Sequence, residues 1–72
     1  MNYSYLGKRL ILNSELVKRL EDFDMKPFDD DACAFYISYE VKDEDIESTP
    51  AVVLSEIVNR WIRHDLIANG KL

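Results

Sequence analysis

The chain has 72 residues, of which 47% are apolar and 32% charged, and its formal net charge is −5 at pH 7. This composition indicates one small globular domain over residues 1–72 and excludes an intrinsically disordered chain. The apolar runs are too short for a membrane span, and no signal peptide is expected. The lone cysteine, Cys33, excludes a disulfide framework and fits a reducing, cytoplasmic setting.

The first predicted element is a β-strand over residues 3–13, YSYLGKRLILN. Aromatic and β-branched side chains favour a strand here, and Gly7 indicates a bulge or a break.

An amphipathic helix is predicted next, capped by Asn13 or Ser14. One face of this helix carries Leu16, Val17, Leu20 and Phe23. Because Pro27 disfavours helical geometry at the residue before it, the helix should end near Asp24 or Met25.

A second strand is predicted over residues 32–42, ACAFYISYEVK, which have the clearest period-two pattern in the chain. The apolar face of this strand would carry Cys33, Phe35, Ile37, Tyr39 and Val41, and its polar face Tyr36, Ser38 and Glu40. The last element is a long helix that starts at Thr49-Pro50, with the Thr49 hydroxyl as its cap, and ends at Gly70.

The predicted fold is therefore α+β, a β-α-β-α domain with two strands packed against two amphipathic helices. A two-stranded sheet seldom stands alone. Either the sheet is completed by dimerisation, so that a homodimer is expected, or a short extra strand lies near Phe28.

Charge is distributed very unevenly along the chain. Residues 21–47 hold eleven of the fourteen acidic residues against two lysines, a net charge of −9, whereas the two ends together carry +4. Such asymmetry sets up a field that helps to select binding partners.

Catalysis has little support, and no cofactor or metal is expected. The chain has one histidine, one cysteine and two glycines, so it has no glycine-rich phosphate loop. His64 is interpreted as a border residue of the last helix and Cys33 as a buried, inert thiol. The spacing of Asp43, Asp45 and Glu47 imitates a calcium loop, but the required glycine and bidentate glutamate are missing from it.

The leading hypothesis is a non-catalytic protein-binding module, similar to small phage-borne inhibitors and antitoxins. Its acidic face would dock on a basic, nucleic-acid-handling partner protein by imitating a phosphate backbone. The predicted partner-binding residues are Asp29, Asp30, Asp31, Tyr36, Glu40, Asp43, Glu44, Asp45 and Glu47. The competing interpretation is that both acidic runs are solvated turns.

Asp65 is anomalous because it falls within the apolar stripe of the last helix. Either the core contact ends by residue 64, or Asp65 meets a donor at an interface, since a buried, unpaired carboxylate is costly.

Two segments, GKRLILNSELVKRLEDF and STPAVVLSEIVNRWIRHDLIANG, together about 40 of the 72 residues, resemble the strand, first helix and second helix of ribbon-helix-helix repressors and antitoxins. This resemblance implies the alternative function, a DNA-binding regulator that dimerises through its first strand. Arg9, Ile11 and Asn13 would then point into the major groove, and Ser48 and Thr49 would contact the DNA backbone.

Overall fold

The computed structural model describes residues 6–23 and 29–72, and the regular structure in these ranges is helical. The four α-helices are α1 (Leu6–Arg9), α2 (Ser14–Asp22), α3 (Asp30–Ile37) and α4 (Ala51–Ala68), and a 3₁₀ turn covers Asp43–Asp45. Since none of the described residues lies in a β-strand, the predicted α+β fold with two strands is wrong. The extra strand considered near Phe28 falls outside the described residues.

The predicted second strand is in fact α3 and the turn after it. The Asp29 side chain caps this helix by accepting a hydrogen bond from Ala32 N at 2.7 Å, and further acids in the first turn suit the helix dipole. Phe35, which a strand would bury, is 58% exposed. The buried side chains follow helical spacing instead: Cys33, Ala34, Tyr36 and Ile37.

The predicted first strand is also wrong where it is described, while its residues 3–5 lie outside the described range. Leu6 and Leu10 are one helical turn apart and both are buried, and Leu10 N donates to Leu6 O at 3.0 Å. The guanidinium of Arg9 donates to Thr49 O at 3.0 Å. This arrangement differs from the strand that the ribbon-helix-helix resemblance implied.

The segment between α1 and α2 is held by two polar side chains of α4. Ile11 N donates to Ser55 Oγ at 2.9 Å and Asn13 N donates to Asn59 Oδ1 at 2.8 Å. In return, Asn59 Nδ2 donates to Ile11 O at 3.3 Å. Backbone groups that a ribbon would pair with a second copy are thus bonded within the chain.

The prediction of helix α2 is confirmed, including its cap. Asn13 Oδ1 accepts hydrogen bonds from Glu15 N at 3.0 Å and Leu16 N at 3.2 Å. These two bonds satisfy N–H groups that the first turn of a helix leaves without partners. The helix ends at Asp22, slightly earlier than the sequence predicted.

The prediction of helix α4 is confirmed in extent but not in its cap. Thr49 Oγ1 donates to Asp45 O at 2.7 Å, and no described side chain caps the first turn of α4. At the other end Gly70 has a φ of 71°, a conformation that glycine adopts without a steric penalty. Lys71 N then bonds Leu66 O at 2.7 Å, which closes a Schellman motif.

The hydrophobic core lies where α4 packs against α2 and α3, and α1 packs against α3. Burying these side chains is the main favourable contribution to folding in a domain of this size. The largest fully buried side chains are Leu6, Leu20, Cys33, Ile37, Ile46, Leu54, Val58, Ile62 and Leu66.

Candidate functional site

The first acidic run, Asp29 to Asp31, has structural roles. Asp29 caps α3, and Asp30 Oδ1 accepts a hydrogen bond from Gly7 N at 2.6 Å. A Cβ added at Gly7 would lie 2.8 Å from this same oxygen, so a larger residue there would force the Asp30 side chain to shift. Asp31 is exposed. Two of the three predicted carboxylates therefore hold α3 and its contact with α1.

The second acidic run is named here the acidic loop, and consists of Asp43, Glu44, Asp45 and Glu47. All four residues are exposed, whereas Ile46 between them is fully buried in the core. The backbone of the loop is tied by several bonds: Asp45 N donates to the carbonyl of Lys42 at 2.9 Å, and the Ser48 and Thr49 hydroxyls donate to Asp45 O. The loop therefore presents its carboxylates on a fixed backbone.

The two acidic runs lie at opposite ends of α3. The first run forms the cap and first turn of the helix, and the acidic loop follows the turn after it. Eight residues of α helix rise about 12 Å, which exceeds a Debye length of about 8 Å at physiological ionic strength. Exposed charges at the two ends of α3 are therefore largely screened from each other.

Tyr36, predicted on an exposed strand face, is 7% exposed and offers little surface to a partner. Its hydroxyl donates to Asp65 Oδ2 at 2.6 Å. Burial, and then the hydrogen bond to Asp65, raise the pKa of Tyr36 well above its usual range. This bond also explains the anomaly of Asp65: the core contact continues to the fully buried Leu66, and Asp65 meets its donor within the chain.

Glu40 forms a polar cluster with α4. Arg60 Nη1 donates to both Glu40 oxygens, at 2.8 and 2.7 Å, and Trp61 Nε1 donates to Oε2 at 2.8 Å. The hydrogen bond from Trp61, followed by that from Arg60, lowers the pKa of Glu40. The carboxylate is therefore charged and fixed against α4, next to an indole ring.

Four aromatic side chains that the sequence interpretation did not select form a continuous surface beside Glu40. We name this surface the aromatic strip: Phe35, Tyr39, Trp61 and His64. Successive ring centroids are 5.1, 4.5 and 5.1 Å apart, within the range of aromatic pairing. Phe35 is 58% and Tyr39 52% exposed. The signal was present in the sequence, because Phe35 and Tyr39 share one face if residues 30–39 are helical.

The other candidate groups give little support for chemistry. Burial, and then the nearby acids, raise the pKa of the Cys33 thiol to about 11, so the thiolate is scarce near neutral pH. Within residues 6–23 and 29–72, no group of three or more histidine, cysteine or acidic side chains could hold a metal ion. A hollow of about 220 Å³ beside Arg19 and Arg63 is smaller than most ligand pockets.

None of the helices in the described ranges has the length and apolarity needed to cross a membrane. No protein-family model, curated protein or solved structure matches this chain. A functional proposal must therefore come from the acidic loop and the aromatic strip themselves.

Proposed function

We propose that this chain is a non-catalytic protein-binding module that docks the acidic loop on a basic, nucleic-acid-handling protein and blocks it. The observation that carries the proposal is the construction of the loop. Its four carboxylates are exposed on a backbone that Ile46 anchors in the core. The anchor keeps the four exposed carboxylates on an ordered backbone, as a docking surface requires.

Two physical effects support docking through this loop. Clustered negative charge steers a positively charged protein toward the loop and raises the association rate. A backbone that is already ordered loses less conformational entropy on binding than a flexible acidic tail does. With no sheet among the described residues, sheet completion gives no reason for a homodimer, and the homodimer stays a prediction.

Neutralising the acidic loop should slow association with the partner about tenfold at low salt and reduce its salt dependence. The variant is Asp43→Asn, Glu44→Gln and Asp45→Asn, which keeps the shape of the loop and its backbone hydrogen bonds. The partner protein is first captured from lysate on the original protein. Only a captured protein that duplex DNA elutes is used. Its association rate with each variant is then measured by stopped flow.

The matched control removes three negative charges from elsewhere on the surface, at Glu21, Asp22 and Glu56, which are all exposed. The proposal expects this control to bind almost as fast as the original protein. Equal slowing by both variants would mean that only net charge matters, and the acidic loop would lose its assigned role.

The alternative function, direct DNA binding, predicts that binding depends on basic side chains instead of acidic ones. Binding to DNA should depend on Arg9 and the basic ends of the chain and should weaken as salt rises. A gel shift with mixed genomic fragments at low salt distinguishes the two functions. Under our proposal the protein leaves DNA unshifted and instead releases the captured partner from DNA.

A further inference from the structure

We propose that the aromatic strip is the anchoring part of the same interface and binds arginine side chains of the basic partner. This inference rests on the proposed function and adds to it the chemical group that is recognised. The acidic loop would then supply attraction at a distance, and the strip would supply the close contacts that hold the complex together.

Phe35 and Tyr39 expose a large part of their side chains to water. An aromatic side chain has 150–250 Å² to bury, so Phe35 and Tyr39 each leave roughly 100 Å² in contact with water at their observed exposure. The two residues lie one helical turn apart, and Trp61 and His64 of α4 continue the same surface. Aromatic residues such as these are enriched in the buried core of protein interfaces.

The rings of the strip are restrained by contacts within the chain. Tyr39 packs against Trp61 with centroids 4.5 Å apart, and the Trp61 indole donates to Glu40. These contacts hold the rings before any partner arrives, so little side-chain entropy remains to be lost on binding. Tryptophan and tyrosine are also the residue types enriched among those that dominate binding energy.

The chemistry of the strip favours a guanidinium group. Aromatic faces attract cations, and a planar guanidinium also stacks on them, which an ammonium group cannot do. Glu40 lies at the edge of the strip with its carboxylate fixed by Trp61 and Arg60. A carboxylate has about four lone-pair positions, so Glu40 keeps capacity to accept a further donor.

Position and charge identify the occupant as a basic protein and not a second copy of this chain. Asp43 follows Glu40 by three residues, so their Cα atoms lie at most about 11 Å apart. Glu40, at the edge of the strip, is therefore close in space to the start of the acidic loop. Two copies that met face to face would bring together two acidic loops on molecules that each carry a net charge of −5, which opposes association.

The test uses hexa-arginine and hexa-lysine peptides, which have equal charge, as probes. Trp61 is the only tryptophan in the chain, so its fluorescence reports binding at the strip directly. We expect hexa-arginine to bind about fivefold or more tightly than hexa-lysine. Phe35→Ala and Tyr39→Ala should each remove most of this preference.

Three further variants make the result decisive. Phe35→Leu and Tyr39→Leu keep apolar bulk while removing the aromatic face, and far-UV circular dichroism checks that every variant remains helical. Val52→Ala is the matched control, because Val52 is 63% exposed and nine residues before Trp61, which places it on the opposite side of α4. This control should bind both peptides like the original protein.

The possible results distinguish the role of the aromatic strip from the role of the acidic loop. If both peptides bind equally, and binding is lost only when Asp43, Glu44 and Asp45 are neutralised, the strip inference is overturned and the proposed function stands. If arginine preference depends on the rings while neutralising the loop has no effect, the strip stands and the proposed function fails. Self-association that Phe35→Ala abolishes would assign the strip to a second copy and overturn the inference.

Discussion

Replacing Ile46 by alanine is expected to lower the free energy of unfolding by about 2–5 kcal/mol, the usual cost of truncating a large buried aliphatic side chain. Ile46 is fully buried although the residues on both sides of it are exposed. A globular chain of this length has roughly 4–11 kcal/mol of total stability. This single change should therefore shift the urea midpoint strongly, as measured by circular dichroism at 222 nm.

Glu47→Ala is the control for this prediction, because it shortens the neighbouring exposed side chain of the same loop. A surface substitution of this type should change stability by no more than about 0.5 kcal/mol. Comparable effects of the two substitutions would show that Ile46 does not anchor the acidic loop. The proposed function would then lose the observation on which it depends.

The variant Ile46→Ala also connects stability with binding. If the anchor fixes the backbone of the acidic loop, its loss should weaken partner binding under conditions where the rest of the chain is still folded. The charges themselves are unchanged, so attraction at long range should persist. We therefore expect faster dissociation in this variant, whereas neutralising the loop mainly slows association.

The sequence was sufficient to predict helices α2 and α4 because each combines a helical apolar pattern with a strong local signal. For α2 the signal is Asn13, which caps the first turn, and for α4 it is Gly70, which ends the last turn at positive φ. Both signals act between residues that are close in sequence. They therefore fix the helix ends independently of how the rest of the chain folds.

The sequence of α3 predicts a strand because its pattern satisfies two periods at once. Cys33 and Ile37 are four residues apart, a spacing that places them on one face of a helix and also on one face of a strand. The deciding residues are Phe35 and Tyr39, which a strand would bury and which are exposed on α3 and in the turn after it. Asp29, interpreted only as a charge, was the cap that favoured the helix.

The candidate site was predictable only in part for the same reason. The acidic loop was found from composition, which does not depend on the fold. The aromatic strip was not found, because the strand prediction assigned Phe35 and Tyr39 to a buried face. Its other half lies on α4, and no local pattern indicates that Trp61 meets Tyr39 across two helices.

Tyr36→Phe is expected to lower the free energy of unfolding by about 1–2 kcal/mol near neutral pH. The substitution removes the hydroxyl that donates to Asp65 at 2.6 Å. It leaves a partly buried carboxylate without that donor, and the loss of a hydrogen bond to a charged group is costly. Tyr39→Phe removes a hydroxyl from a side chain that is 52% exposed, and should change stability by less than about 0.5 kcal/mol.

The advantage of the original protein over Tyr36→Phe should shrink as the pH rises above 10. Folding raises the pKa of Tyr36 above the ordinary value of 10.0, through burial and the bond to Asp65. The stabilisation is therefore complete below pH 10 and is lost as the unfolded chain ionises above it, by about 1.4 kcal/mol per pH unit. Cys33, whose pKa is raised from 9.0 to about 11, destabilises both proteins in the same direction as the pH rises.

Removing both partners of this bond should separate the hydrogen bond from the packing of the ring. Tyr36→Phe combined with Asp65→Leu leaves no carboxylate in need of a donor, so the double variant should be at least as stable as Tyr36→Phe alone. Urea unfolding at pH 7 of the original protein, Tyr36→Phe, Asp65→Leu and the double variant gives the coupling energy. If Tyr36→Phe were within 0.5 kcal/mol of the original protein, the hydrogen bond would not stabilise the packing of α3 against α4. The aromatic strip, which those two helices share, would then have to be held by its ring contacts and by Glu40 alone.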